Sequence, residues 1–514
     1  MGMDALRFMT PAPASASIPV SLRRQFPDAS FVGCAEIVVS TATDRSGDCT
    51  PGCLFAALPG TNVHGCAFVA EAVERGAAAI LTETPLPDVR ACQCIVPDAR
   101  AAYSELCHAL AAWPSRRLGV VGVTGTNGKT SVAWLVRSLL SHAGHPTGLA
   151  GTVEYSDRET SVPASLTTPD PRTLVRWMAS SYRNDCTHFA LEVSSHALDQ
   201  RRITGLQLDA AIVTNITHDH LDYHGDYDCY RAAKRRIARH LKRGGRLILN
   251  LDDPGSASLL GDTPTNALCL TFAIDAEADV RAQAIECTPG GTRFTLTAGI
   301  EEVTVETPLI GRHNVSNCLA AASAGLHFGL SLTEIAQGIA ALAEVPGRMQ
   351  RVDCGQSFRV LVDYAHTPDA LCRAIQAVRE TTSGRVICLF GAGGDRDRRK
   401  RPEMGRAGAQ ADLVVVTSDN PRSEDPQTII YDILTGCVAA KVHVDPDRER
   451  AIAWALREAR AGDTVLVAGK GHEKEQVIGR DRIPFDDVAM CRKYLALRDS
   501  SPHIPILPQL VKSA

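Results

Sequence analysis

Between residues 118 and 251, short apolar runs alternate with stretches in which apolar positions recur every three or four residues. The runs 118–121, 188–193, 208–215 and 246–251 read as buried strands, and the stretches between them as helices that cover the strands. That rhythm predicts a parallel sheet. It resumes after Pro346-Gly347 with strand readings at 359–363, 386–390, 413–417 and 464–468, which predict a second doubly wound α/β unit. Upstream, shorter strand patterns at 36–40, 54–57 and 78–82 accompany two Ala-rich helical patterns, 67–75 and 101–112. Residues 280–310 alternate apolar and polar around Gly290-Gly291, the mark of antiparallel β, before helical patterns at 315–330 and 333–343. Ser331 and Glu334 have the spacing of a capping box.

A linker-like break at Trp113-Pro-Ser-Arg-Arg117 and the turn at Pro346-Gly347 divide this pattern into three domains, 21–114, 115–345 and 346–498. The fold class is α/β: a central P-loop, parallel-sheet, ATPase-like domain between a small N-terminal α/β domain and a C-terminal Rossmann-like domain. A chain of 514 residues with 45% hydrophobic content supports that many cores. The formal net charge of −4 provides no broad basic field, so nucleic acid is not expected as a partner. Seventeen cysteines are scattered without paired CxxC motifs, which fits reduced thiols. With no basic-then-apolar leader and no uncharged apolar stretch of 18 residues, the expected setting is cytoplasmic and away from the membrane. Residues 1 to about 20 and the tail from about 501 are expected to be weakly ordered.

Candidate chemistry begins where the first strand of the central pattern ends. Gly122-Val-Thr-Gly-Thr-Asn-Gly-Lys-Thr-Ser131 follows an apolar run and opens a helical pattern, the place where a nucleoside triphosphate's phosphates are held. Gly125, Thr126, Asn127 and Gly128 form the loop, Lys129 supplies a mobile cation, Thr130 offers a hydroxyl to Mg²⁺, and Ser131 starts the helix. Val123 stands where the common P-loop spacing has its first glycine, so the pattern reads GxxGxxGKT. Glu192, at the end of another strand reading, is placed to face the same metal. The segment Thr214-Asn-Ile-Thr-His-Asp-His-Leu-Asp-Tyr-His-Gly225 gathers metal-ligand types at a strand's C-terminal end, although such a loop equally satisfies its own turn. By composition Lys234 belongs to a solvated basic face, Lys234-Arg235-Arg236, and Asp419-Asn-Pro-Arg422 is a turn. Gly391-Ala-Gly-Gly394 imitates a dinucleotide fingerprint, but Arg396 replaces its last glycine and argues against nicotinamide.

In order along residues 31 to 495, the segments GVTGTNGKTS, LEVSSHALDQRR, TNITHDHLDYHG, Ala-Ala-Lys234, GRHNVSN, PGRMQ, VDYAHTPDAL, FGAGGDRD, SDNPR and VAGKGHEKEQ together resemble the Mur ligases. The resemblance implies domains for a UDP-sugar, for ATP and for an incoming amino acid. It implies ATP-dependent amide formation through an acyl phosphate, joining meso-diaminopimelate to UDP-MurNAc-L-Ala-D-Glu by a monomer whose third domain closes over ATP. On this resemblance Lys129, His220 and Lys234 are catalytic. Thr130 and Glu192 serve one Mg²⁺, His220 serves a second, and Lys234 carries a CO₂-derived carbamate that ligates metal. Asn314, Asn317, Arg348, Asp363 and His366 match positions around the nucleotide. Ser46, Thr167, Thr168, Ser194, Gln200 and Arg202 match the part that handles the UDP-sugar peptide, with Arg45-Ser46-Gly47 in place of the family's Asp-Ser-Arg and Arg201 where relatives often have His. Arg396, Asp419, Asn420, Arg422, Gly469 and Glu473 match the amino-acid site, where the Arg422 guanidinium suits the distal carboxylate of diaminopimelate and Glu473 its distal ammonium. Rival readings are a related amide ligase that adds lysine, another amino acid or glutamate on folate; a P-loop GTPase, for which no NKxD motif is present; and a non-catalytic nucleotide-binding scaffold.

Overall fold

The computed structural model describes residues 18–60, 63–438 and 440–499. The expectations for residues 1–17 and for the tail from 501 fall outside the described residues; Val20, at the edge of the stretch expected to be weakly ordered, pairs with Val39. The described chain divides into two compact units, principally at Leu342/Ala343.

In the first unit, six parallel strands run in the order Thr147–Ala150, His188–Glu192, Gly119–Thr124, Leu208–Val213, Leu241–Asn250, Leu268–Ala273. Val120, Val121 and Val123 are fully buried, and the helix Lys129–His142 packs over the sheet through Val132, Leu135, Val136 and Leu139. Burial on both faces is why these strands read as continuous apolar runs rather than alternating ones. Thr147–Ala150 and Leu268–Ala273 are strands beyond those the apolar runs predict; Thr-Gly-Leu-Ala carries little β propensity and forms a strand because its neighbour supplies a ladder. Register positions the site. Glu192 lies opposite Val123 and Val213 opposite Thr124, so the phosphate loop, Glu192 and the segment from Thr214 all leave the sheet at the C-terminal ends of three adjacent strands.

A separate five-strand sheet of the same unit has the order Ser30–Val32, Cys92–Ile95, Ala79–Thr82, Leu54–Ala56, Ala42–Thr43. The strand expected at 36–40 shrinks to Val38–Val39, paired with Val20–Ser21. Residues 280–310 form three strands, Val280–Thr288, Gly291–Ala298 and Glu301–Thr307, joined by two-residue turns that only antiparallel neighbours permit. Ser331 and Glu334 make the expected capping box.

The second unit holds the sheet Gln350–Arg351, Arg359–Asp363, Thr464–Ala468, Val386–Phe390, Leu413–Val416, Val442–Val444, parallel except at its first pair. Asp363 faces Ala468 and Phe390 faces Val416. Four loops, 364–367, 469–473, 391–396 and 417–422, therefore emerge at one end of the sheet. The described cysteines are free thiols, as expected.

Candidate active site

The phosphate loop is shaped by close backbone approach. Gly125 has φ +151° and Gly128 φ +86°; a Cβ at the first would overlap Thr214 Oγ1, and at the second would crowd Asn317 Oδ1. Thr214 Oγ1 donates to Asn127 O (2.6 Å), Asn215 Oδ1 accepts from Asn127 N (2.8 Å), and Thr126 N donates to Asn215 O (2.9 Å). The loop is thus clamped by the segment that begins the His-rich motif. Asn317 also donates to Asn314 Oδ1 (3.0 Å), which brings this buried pair to the loop's edge.

Lys129 Nζ donates to Gly125 O (2.8 Å) and Thr126 O (2.9 Å). Beneath the helix start, Thr130 Oγ1 donates to Glu192 Oε2 (3.0 Å), and both residues are almost fully buried. Ser131, on the same first turn, is buried as well. Thr152, which sequence reasoning missed, holds both carboxylate oxygens of Glu192, through its amide (2.7 Å) and its hydroxyl (2.8 Å). No motif distinguishes that threonine from others in the chain.

Lys234 corrects its compositional reading. It is 1% exposed, not on a solvated face, and its Nζ donates to Gly125 O (2.8 Å), the carbonyl that Lys129 also uses. Burial first, and then the Lys129 charge, hold the amine well below the usual lysine range, against the opposing pull of Asp219. Its ammonium nitrogen lies 4.7 Å from the Tyr230 ring centroid, and Tyr230 OH lies 3.0 Å from Thr126 Oγ1. His220 is connected to this group: its ring centroid is 6.4 Å from that of Tyr230 and 4.9 Å from that of His196, and Asp219 lies 3.5 Å from its Nε2. Sequence reasoning singles out neither Tyr230 nor Asp219, although both lie within or just after the His-rich motif.

A second polar network adjoins Glu192. Thr168 Oγ1 donates to Glu192 O (2.8 Å) and accepts from Ser194 N (2.9 Å), while Thr167 Oγ1 lies 3.1 Å from Thr152 Oγ1. Arg202 donates to Thr168 O (3.2 Å) and Gln200 Oε1 (2.7 Å). Ser46 belongs to a different network, where its hydroxyl donates to Glu71 Oε2 (2.7 Å).

In the second unit Asp363 accepts from Met349 N (2.7 Å) and Ala365 N (2.8 Å); burial raises its carboxyl above the usual range, opposed by Arg348. Arg348 sits 4.4 Å from the centre of the Tyr364 ring, and His366 Nδ1 lies 2.7 Å from Tyr364 O. The four loops also assemble the amino-acid candidates. Arg422 adopts a left-handed φ of +52° and donates to Gly394 O (2.6 Å), and a Cβ on Gly393 would lie 3.0 Å from Arg422 Nη1 and 3.7 Å from Arg396 Cγ. Burial, and then the like charge of Arg396, lower the Arg422 guanidinium from its ordinary value. A side chain on Gly469 would meet Asp419 Oδ2 at 2.6 Å. Asn420 Nδ2 donates to Glu473 Oε2 (2.8 Å). Asp419-Asn-Pro-Arg422 is therefore a junction between loops as well as a turn.

These features define an α/β nucleotide-handling protein whose phosphate loop, acidic strand end and buried lysine share one end of a parallel sheet. Residues 44–109 match the Mur ligase family catalytic domain, 123–325 the Mur ligase middle domain and 347–471 the Mur ligase glutamate ligase domain. The chain is 46% identical over 454 residues to the UDP-N-acetylmuramoyl-L-alanyl-D-glutamate–2,6-diaminopimelate ligase of Solibacter usitatus, covering 87% of this chain and 91% of that protein. The like-named ligase of Geobacillus thermodenitrificans is 45% identical over 86% of this chain and 92% of its own length. A solved structure of a ligase with that name superposes with a TM-score of 0.68 at 31% identity, covering 94% of this chain and all of that one. The MurF ligase of Thermotoga maritima in complex with ADP shares the fold at 20% identity and a TM-score of 0.63, covering 89% of this chain and 98% of that one. The chain belongs to the Mur ligase family, with its three-domain α/β fold.

Proposed function

We propose that this protein forms the amide bond between the free carboxylate of UDP-MurNAc-L-Ala-D-Glu and an amine of meso-diaminopimelate, consuming ATP, in peptidoglycan precursor synthesis. The observation that carries the reading is the convergence of Lys129 and Lys234 on one carbonyl beside the buried Thr130–Glu192 pair, in a chain 46% identical to a ligase named for that reaction. Residues 21–114 take the UDP end, with Ser46; residues 115–345 take ATP; residues 346–498 take the amino acid.

The substrate carboxylate attacks the γ-phosphorus of ATP and ADP leaves, giving an acyl phosphate; the amine then attacks the acyl carbon, loses its proton, and phosphate departs. Lys129, anchored to the loop carbonyls, places positive charge where the transferred phosphoryl becomes crowded with negative oxygens. Glycine-loop amides and the helix N-terminus orient those phosphates, and Asn314 and Asn317 border them. Arg348, Asp363 and His366 contribute to nucleotide recognition.

A buried hydroxyl paired with a carboxylate is an all-oxygen donor set that fits Mg²⁺, so Thr130 and Glu192 would hold one ion, and His220 with a carbamylated Lys234 a second. When bound, such ions neutralise phosphate and carboxylate oxygens. The low basicity that burial and Lys129 impose on Lys234 favours the neutral amine, the form that adds to CO₂ with loss of a proton to give an anionic carbamate. Thr167, Thr168, Ser194, Gln200 and Arg202 orient the peptide end of the UDP substrate. Arg396, Asp419, Asn420, Arg422, Gly469 and Glu473 receive diaminopimelate, the guanidinium of Arg422 binding its distal carboxylate.

The same reading places the protein in the cytoplasm as a monomer; among the described residues no helix is long and apolar enough to cross a membrane. Incubation with ATP, Mg²⁺, UDP-MurNAc-L-Ala-D-Glu and either diaminopimelate or L-lysine, followed by product weighing, tests the assignment. A diaminopimelate adduct with one ADP per product is expected; product from lysine alone, or ATP hydrolysis without product, overturns it.

A further inference from the structure

Lys470 is a charged side chain of the amino-acid region that none of the roles above employs. It is completely buried, yet it is not neutralised by a buried carboxylate of comparable depth: its partner Glu473 keeps 31% of its side chain exposed. Lys470 Nζ donates to Glu473 Oε2 (2.9 Å), Asn420 Oδ1 (3.1 Å) and Glu475 O (2.6 Å), three acceptors for its three protons. Asn420 completes a closed circuit, since its Oδ1 also accepts from Val477 N (3.0 Å) and its Nδ2 donates to the same Glu473 Oε2 (2.8 Å). Both hydrogen bonds on the Glu473 carboxylate thus fall on Oε2. Oε1 makes none among the described residues, and lies on a residue that solvent reaches.

A carboxylate with one oxygen anchored from beneath by a buried ammonium and an amide, and the other left open, has the form of a receptor for a ligand cation. We propose that Lys470 is a positioning residue: it holds Glu473 and Asn420 so that Glu473 Oε1 meets the distal ammonium of the incoming diamino acid, and it thereby sets the preference for a substrate bearing that group. The inference rests on the amino-acid site assigned above and adds to it the residue through which Glu473 acts. Lys470 itself touches no substrate. Gln476, which donates to Asp419 O (2.6 Å), ties the adjoining strand to the same loop, so the anchor is continuous with the backbone that carries Asp419 and Asn420.

The test compares meso-diaminopimelate with 2-aminopimelate, which keeps the distal carboxylate but lacks the distal amine. For the wild type, kcat/KM is expected to favour diaminopimelate strongly. Lys470→Met should raise the KM for diaminopimelate at least ten-fold, leave the KM for ATP near its original value, and reduce the preference over 2-aminopimelate toward unity. In a Glu473→Gln background the same change should have little further effect on the preference, because the two residues act as one. Lys470→Arg keeps the charge but moves the donor, so it should lose part of the preference and serves if the Met variant does not fold. An unchanged preference in either variant, or an additive double mutant, overturns the role of Lys470. Wild-type protein that ignores diaminopimelate altogether would refute the substrate assignment instead.

Discussion

A lysine's neighbours decide its chemistry, and Lys234 shows how little its sequence surroundings reveal. Beside two arginines it reads as a surface cation, but the fold buries it against the carbonyl that Lys129 also binds. Two ammonium groups on one acceptor are unfavourable unless one is neutral or modified. At high bicarbonate, intact mass should show the addition of one CO₂ to wild type and none to Lys234→Met, whose turnover should fall by about 10²–10³-fold, the usual scale for a lost electrostatic group. Arg422→Ala should raise the KM for diaminopimelate by about ten- to a hundred-fold, the range of one charged hydrogen bond, with kcat little changed. Steady-state kinetics at saturating ATP measures that split, and an unaltered KM removes Arg422 from the site.

Among the elements, regular ones were legible where both period and boundary chemistry are written locally. The strands Arg359–Asp363, Val386–Phe390 and Thr464–Ala468 have the bounds expected of apolar runs buried on both faces. Ser331 caps the helix Leu332–Ala340 with Glu334 as its reciprocal partner. Ser331→Ala should lower stability by about 1 kcal/mol in denaturant titration while leaving turnover intact. Other elements escaped because they borrow their order: Ser30–Val32, Cys92–Ile95 and Thr147–Ala150 are short, and each takes at least one ladder from a strand about 40 to 65 residues away. The phosphate loop itself was visible from its glycines, but its clamp of Thr214 and Asn215 comes from a segment five strands further along the chain.

The whole molecule has an acid weakness built into its interior. Burial depresses His108 to about 3 and His188, His240 and His313 to about 4, from an ordinary value of 6.5. Above pH 6.5 these rings are neutral folded or unfolded; as pH falls from about 6.5 toward 4, the unfolded chain takes up protons that the folded one refuses, so stability declines across that window. Unfolding midpoints should record the decline, and His108→Phe, which replaces a fully buried ring whose two nitrogens have no partner among the described residues, should flatten it and stabilise the neutral-pH protein. The sequence by itself determined the α/β alternation, the phosphate loop and the family, because apolar periodicity and ordered motifs are local properties of the chain. Only the tertiary structure decided that Lys234 is buried, that Thr152 holds Glu192, and that Lys470 anchors Asn420 and Glu473. Burial and hydrogen-bond geometry depend on which loops adjacent strands bring together, and strand order is set by packing across the whole sheet.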